Sequence, residues 1–234
     1  MRTAIGIMWL WRWPHDSGLP AMAAPEAGRP GLLLECMLIL STARFALRPL
    51  REGHEAGLYA LYGNIEFMRF AGCEAWADTR EASAFIERAQ DGLARMTSVR
   101  LGVFEGDQLI GTCGLLNIDS THCRAELGYG VSVGQWGRGI AREAARAILD
   151  WGFDELELRR VAASVDPDNT ASICVLEALG FRHEGTLREH LRSRGRAFDS
   201  RVYGLLARER RGVPNIVRAV GKDGKLPPVH SAET

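Results

Sequence analysis

The chain has no CxxC pair, and its five cysteines (Cys36, Cys73, Cys113, Cys123 and Cys174) are odd in number and widely scattered. That spacing excludes a disulfide framework and a Cys/His zinc site, and it fits a reducing cytoplasm. His54, His122, His183 and His190 show no metal-ligand spacing either, so no metal is expected. Net charge is also missing. Twenty-nine Lys and Arg residues offset 29 Asp and Glu residues, so no overall field draws the chain to nucleic acid or to an anionic membrane. No apolar run is long enough to span a bilayer: Ile5 to Trp13 is too short, and Arg12 interrupts it as a signal peptide. Neither a GxGxxG fingerprint nor a Gly-Lys-Ser/Thr loop occurs, which argues against the common nucleotide folds. No internal repeat is visible.

What remains is an ordinary globular composition. With 234 residues the chain can bury one good core with appendages, and two full domains would be cramped. Residues 14–31 have the Pro, Gly and Ala content of a linker, and Met37 immediately precedes the first strand-like pattern. Residues 1–36 are therefore expected to be a disordered extension or to lie upstream of the true start, and residues 37–210 to be the folded domain. Residues 211–234, with Pro214, Gly221, Gly224, Pro227 and Pro228, read as a tail.

Within the domain, Leu38 to Leu50 reads as a strand stopped by Pro49. Helices are predicted around His54 to Tyr62 and after Asp78, which serves as N-cap with Glu81 three residues on. Ala82, Phe85, Ile86, Ala89 and Leu93 form the buried face of the second. Val99 to Val103 and Leu109 to Leu116 make a hairpin around Glu105 to Asp107, and a strand from Cys123 to Val133 follows. The segment Arg138 to Phe153 has helical periodicity, with Arg142, Glu143, Arg146 and Asp150 on its polar face. Val161 to Val165 is a strand, Asn169 to Leu179 a helix closed by Gly180, and Phe181 to Leu191 and Arg201 to Ala207 a last strand pair around Gly195. Hairpins mixed with two strand-helix crossovers predict a mixed α/β sheet with helices on its faces.

The most informative segment is Gln135, Trp136, Gly137, Arg138, Gly139, Ile140 and Ala141, between a strand and a helix. A strand that ends in glycines and runs into a helix leaves unpaired N–H groups aimed at one spot, where the helix dipole adds partial positive charge. Such a cradle suits a phosphate. A lone GxG is more often a plain turn, but this one has Glu126 in the strand before it, and Asn169 and Ser172 in the helix that ends Leu179, Gly180, Phe181.

Together these motifs resemble the GCN5-related N-acetyltransferases, and within them the RimJ/RimL type that acetylates protein N-termini. Trp136 through Gly139 to Ala141 is similar to that family's acetyl-CoA loop, in the Trp-Gly-Lys/Arg-Gly-x-Ala form of the branch. Thr42, Arg44, Phe45, Leu47, Arg48 and Pro49 resemble its first strand, and Asn169 to Phe181 its closing helix, so the likeness covers residues 38–209. It implies a mostly antiparallel sheet of roughly seven strands and four helices, with a splayed pair of parallel strands holding acetyl-CoA. Main-chain groups of Val131 and Val133 would pair with the pantetheine arm, although the family's usual proline is Val133 here. The N–H groups of Gly137 to Ala141 would hold the pyrophosphate, with Arg138 and Arg142 reaching the 3′-phosphate.

The resemblance also implies direct acetyl transfer to a primary amine, without a covalent enzyme intermediate. A protein or peptide α-amine is the leading acceptor, a ribosomal protein among them. A small-molecule amine (amino sugar, polyamine or amino-acid analogue) and a non-catalytic acyl-CoA-binding module are the alternatives. Homodimers are common in the branch. Only a neutral amine has the lone pair that attacks a thioester, and at pH 7 deprotonation costs about 1 kcal/mol for an α-amine but about 4.6 kcal/mol for a lysine. Glu126 is the candidate base or ammonium-orienting group; otherwise it is a solvent-facing strand carboxylate. Many members protonate the leaving thiolate with a tyrosine at the position of Leu176, so that route is closed. Ser172, three residues after Asn169, matches the branch's substitute, and Asn169 would bind pantetheine or position water; a serine there is equally a helix-start hydroxyl. Trp76, Trp151, Phe70 and Tyr129 read as core. Arg188, Arg192, Arg194, Arg196, Arg208, Arg210 and Arg211 read as a solvated face or a surface for an acidic partner.

Overall fold

The computed structural model describes residues 38–193 and 196–210. The expected extension and tail therefore lie outside the described residues, as do Arg194, Gly195 and Arg211. The elements run β1 (Leu40–Ser41), β2 (Ala46–Pro49), α1 (Glu55–Tyr62), a 3-10 turn (Phe67–Phe70), α2 (Arg80–Ala94), β3 (Val99–Glu105), β4 (Gln108–Asp119) and β5 (Arg124–Val131). After a second 3-10 turn (Val133–Gln135) come α3 (Ile140–Glu155), β6 (Arg160–Val165), α4 (Thr170–Leu179), β7 (Arg182–Ser193) and β8 (Arg196–Leu206). The eight strands form one sheet in the order β1-β2-β3-β4-β5-β6-β8-β7. Every pairing is antiparallel except β5 with β6.

The eighth strand arises where a single strand from Leu38 to Leu50 was expected. Thr42 breaks it: its Oγ1 donates to the Phe45 carbonyl at 3.1 Å and accepts from the Phe45 amide at 3.0 Å, so the chain folds back as a short hairpin. The local side-chain bond outcompetes the continuing ladder, as short hydroxyl side chains often do.

Helices α1 and α2 cover one face of the sheet, α3 and α4 the other. The α2 stripe Ala82, Phe85, Ile86, Ala89 and Leu93 is buried as its periodicity requires. The formal N-cap is Thr79, but the capping bonds belong to Asp78 and Glu81, which accept from the amides of Arg80 and Ala77, each at 2.7 Å. Helix α3 begins at Ile140 rather than Arg138, because Gly137 and Gly139 hold φ of +77° and +75° and no right-handed helix passes through such residues. The expected polar face of α3 also needs correction: Asp150 is buried, because α3 is covered on more than one side and Ala147 and Trp151 are buried beside it. Helix α4 ends as its sequence predicts, in a Schellman motif: Gly180 has φ +96°, and the Phe181 and Gly180 amides donate to the Leu176 and Glu177 carbonyls, each at 3.0 Å.

Candidate active site

Strands β5 and β6 run parallel for only three rungs, Arg124 with Arg160, Ala125 with Val161 and Glu126 with Ala162. Beyond Glu126 they part. β5 continues to Val131 against β4, β6 continues to Val165 against β8, and their facing edges are no longer bonded to each other. Glu126, half-buried, sits at the base of this fork. Its own face of β5 continues with Gly128 and Gly130, which carry no side chain, while Ala125, Leu127, Tyr129 and Val131 point into the core under α3. The first strand leads to the N-terminus of α3 and the second to that of α4, so both helix starts lie beyond the carboxyl ends of the fork, where open α/β sheets take their ligands.

At the α3 terminus the glycine loop is held from below. Val131 ends β5, and the Ser132 amide makes the last bond across, to the Ile110 carbonyl at 2.8 Å. Val133 is therefore not a strand residue as expected. It opens the 3-10 turn, and its carbonyl accepts from the Trp136 amide at 3.3 Å. The Trp136 indole donates to the Val131 carbonyl at 2.7 Å and packs against the core, so this side chain braces the loop. No side chain caps α3. The amides of Ile140, Ala141 and Arg142 precede the first intrahelical donor, Glu143, whose N–H reaches the Gly139 carbonyl at 3.1 Å. A side chain at Gly137 would meet nothing within 4 Å, so the loop is open on that side. Arg142 is exposed, whereas Arg138 pairs with Glu105 at 2.9 Å and also donates to Gln135.

At the α4 terminus Asn169 is the N-cap, its Oδ1 accepting from the Ser172 amide at 3.1 Å. Both side chains are buried. The core tyrosine Tyr129 reaches across from β5 and donates to the Ser172 carbonyl at 3.3 Å. Burial pushes the Tyr129 phenol well above its ordinary range, so it stays a proton donor to that carbonyl. Strict alternation along β5 was the available signal for its direction; that it would end on Ser172 was not readable.

The other side of the fork is built from α1, α2 and their connection. Tyr62 stacks on Trp76 with ring centroids 4.4 Å apart, and its hydroxyl shares a 2.8 Å hydrogen bond with Thr112. Phe67 and Phe85 complete the cluster. The β7–β8 hairpin runs past the end of β6 and approaches this connection, since a side chain at Gly72 would lie 3.4 Å from Leu191. Arg188, Arg192 and Arg208 are exposed, while Arg210 pairs with Asp154 at 2.7 Å.

An acetyltransferase (GNAT) domain model matches residues 44–182, more than half of the chain. The chain belongs to the GNAT acetyltransferases. An uncharacterized N-acetyltransferase, p20 of Bacillus licheniformis, is 34% identical over 178 residues, which is 75% of this chain and all of that one. A spermidine N-acetyltransferase from Vibrio cholerae, solved in complex with CoA and spermine, is 25% identical with a TM-score of 0.64, covering 72% of this chain and 98% of its own. A ribosomal alpha-N-protein acetyltransferase, RimL, in complex with coenzyme A, shares the fold with a TM-score of 0.66 at 19% identity, covering 72% of this chain and 97% of its own. The present protein is thus an N-acetyltransferase whose mixed sheet has the GNAT-like fold. Among its described residues no helix is long and apolar enough to cross a membrane, and no cluster of three His, Cys, Asp or Glu side chains is placed to hold a metal ion.

Proposed function

We propose that this acetyltransferase moves the acetyl group of acetyl-CoA directly to the α-amine of a protein or peptide, as the RimJ/RimL branch does. The observation that carries this reading is the half-buried carboxylate of Glu126 on the last rung of the parallel pair, with two helix N-termini beyond the fork. The residues fit the cosubstrate. The amides of Ile140 to Arg142 lie ahead of the first intrahelical bond, and the space at Gly137 is open, which suits a pyrophosphate; the unbonded edges of the fork suit an extended, amide-rich arm. Acetyl-CoA, when bound, supplies an activated acyl group and a thiolate leaving group.

In this reading Gly137, Arg138, Gly139, Ile140 and Ala141 hold phosphate, Trp136 keeps the loop in shape through Val131, and Arg138 and Arg142 meet the 3′-phosphate, Arg138 by exchanging Glu105 for it. Glu126 orients the incoming ammonium and takes its proton through water. Ser172, set by the Asn169 cap and by Tyr129, lies toward the leaving group. One carboxylate is enough for this work on an α-amine, where deprotonation costs about 1 kcal/mol at pH 7, and is poorly matched to an alkyl amine that costs about 4.6 kcal/mol.

A polyamine acceptor is the second reading, favoured by the likeness to the spermidine enzyme. Coenzyme A thiol release with acetyl-CoA separates the two. Peptides with a free α-amine are expected to release thiol, whereas N-blocked lysine peptides and spermine are not. Release with spermine and with no peptide would overturn the α-amine proposal. In cells, comparison of protein N-termini with the gene present and absent then names the acceptor.

A further inference from the structure

The α3 terminus holds an apparent contradiction. Its first turn carries a carboxylate, Glu143, beside the amides proposed above to bind the phosphates of acetyl-CoA, and a free negative charge there would repel them. Arg44, from the turn between β1 and β2, covers that carboxylate. Its Nε and Nη2 donate to Glu143 Oε2 at 2.8 and 2.6 Å, and its backbone amide donates to Oε1 at 3.3 Å. The remaining arm, Nη1, donates to the Arg138 carbonyl at 3.0 Å, between the two left-handed glycines. A side chain built at Gly139 would lie 3.7 Å from Arg44 Nη2, so the guanidinium stands against the loop itself. Burial of Glu143 opposes its ionisation, but the nearby Thr42 hydroxyl and the hydrogen bonds from Arg44, with the guanidinium's charge, outweigh it and hold the carboxyl below its usual range. The carboxylate is therefore charged and needs a counter-ion.

We infer that Arg44 is a positioning residue for the cosubstrate: it neutralises Glu143 and ties back the Arg138 carbonyl, so that no uncompensated negative charge stands beside the α3 amides where the phosphates bind. The inference rests on the acetyl-CoA reading proposed above and assigns Arg44 no contact with the reacting atoms. A helix-start carboxylate clamped this way serves as an anchor for the β1–β2 hairpin without spoiling an anion site.

The test is isothermal titration of acetyl-CoA together with steady-state kinetics on Arg44→Ala, Glu143→Gln and the double variant. Arg44→Ala is expected to weaken acetyl-CoA binding about tenfold, with kcat at saturation and the amine KM within about twofold, because a bare carboxylate is left at the cradle. Glu143→Gln is expected to bind acetyl-CoA as tightly as the parent or more so, and the double variant to recover most of the loss. A mere structural brace gives the opposite pattern, with both single variants weakened and no recovery in the double. That result, or unchanged binding in Arg44→Ala, would overturn the inference. If Arg44→Ala does not fold, Glu143→Gln alone decides, since weaker binding there contradicts the charge argument. A parent protein that fails to bind acetyl-CoA sinks the cosubstrate reading itself, a result separate from any difference among variants.

Discussion

The two sides of the fork are made of different material. On the α3–α4 side the parts aimed at the fork are main-chain groups: two helix starts, two left-handed glycines and the free edges of two strands. On the α1–α2 side they are large side chains, with Tyr62, Phe67, Trp76 and Phe85 packed over a sheet row whose neighbours include Gly114, Gly128 and Gly130. Main-chain groups survive almost any change of residue type, so a ligand held by them needs only the right loop. Side chains do not, so the α1–α2 side is where two proteins of one fold can differ in acceptor. The RimL structure and the spermidine enzyme share the frame and are named for different acceptors.

Glu126 lies where the sides meet, and changing it is the most forceful way to break the comparison. Glu126→Gln is expected to lower kcat/KM by about 100-fold at neutral pH, the low end of general-base contributions, while acetyl-CoA affinity stays within twofold. With the base gone, the residual rate should follow the fraction of neutral amine, rising about tenfold per pH unit up to the amine pKa. A matching fall in acetyl-CoA affinity would mean that the carboxylate belongs to the cosubstrate side. An unchanged kcat/KM profile would return Glu126 to a strand surface.

The same contrast explains what could be read from the sequence. The α3–α4 side was legible because backbone geometry leaves fixed residue types behind: glycine where φ is positive at 137, 139 and 180, and asparagine at the α4 cap. The hairpins and the α2 stripe were legible through their periods. What escaped was set by contacts distant in sequence. Nothing near Arg44 announces Glu143, 99 residues away, and nothing near Tyr129 announces Ser172, 43 residues on. The break of the first strand was missed because Thr42 fits a β pattern until its hydroxyl is seen bonding Phe45.

A smaller effect is expected from Tyr62→Phe. Burial pushes the Tyr62 hydroxyl well above its ordinary pKa, so it remains neutral and bonded to buried Thr112. Removing it keeps the stack on Trp76 but strips Thr112 of this partner, which should cost about 1–2 kcal/mol in urea unfolding. Acetyl-CoA affinity should not move, because the α1–α2 side lacks the cradle. A shift in that affinity would show the two sides coupled through β4.

The smallest expected effect concerns the two ends of one helix. Glu143, in the first turn of α3, is held below the ordinary glutamate range, whereas Asp150, farther along, is raised, chiefly because burial penalises its charge while Arg146 and Arg210 only partly compensate. Its Oδ2 has no hydrogen-bond partner among the described residues, and the nearest Arg210 nitrogen is 3.9 Å from Oδ1, with that arginine already committed to Asp154 at 2.7 Å. A carboxyl whose folded pKa lies above its unfolded value near 3.8 favours the folded state while protonated, and that advantage fades as pH rises through the folded pKa. Asp150→Asn removes the fading. Near pH 7 the variant is expected to unfold about 2–4 °C higher, the shift produced by about 1 kcal/mol in a domain of this size. Below pH 3.8 the two melting curves should converge, because the parent aspartic acid is then neutral as well. A variant less stable at pH 7 would mean that the two arginines outweigh burial. The C-terminal end of α3 would then be held by charge as its N-terminal end is, and the contrast between Glu143 and Asp150 would close.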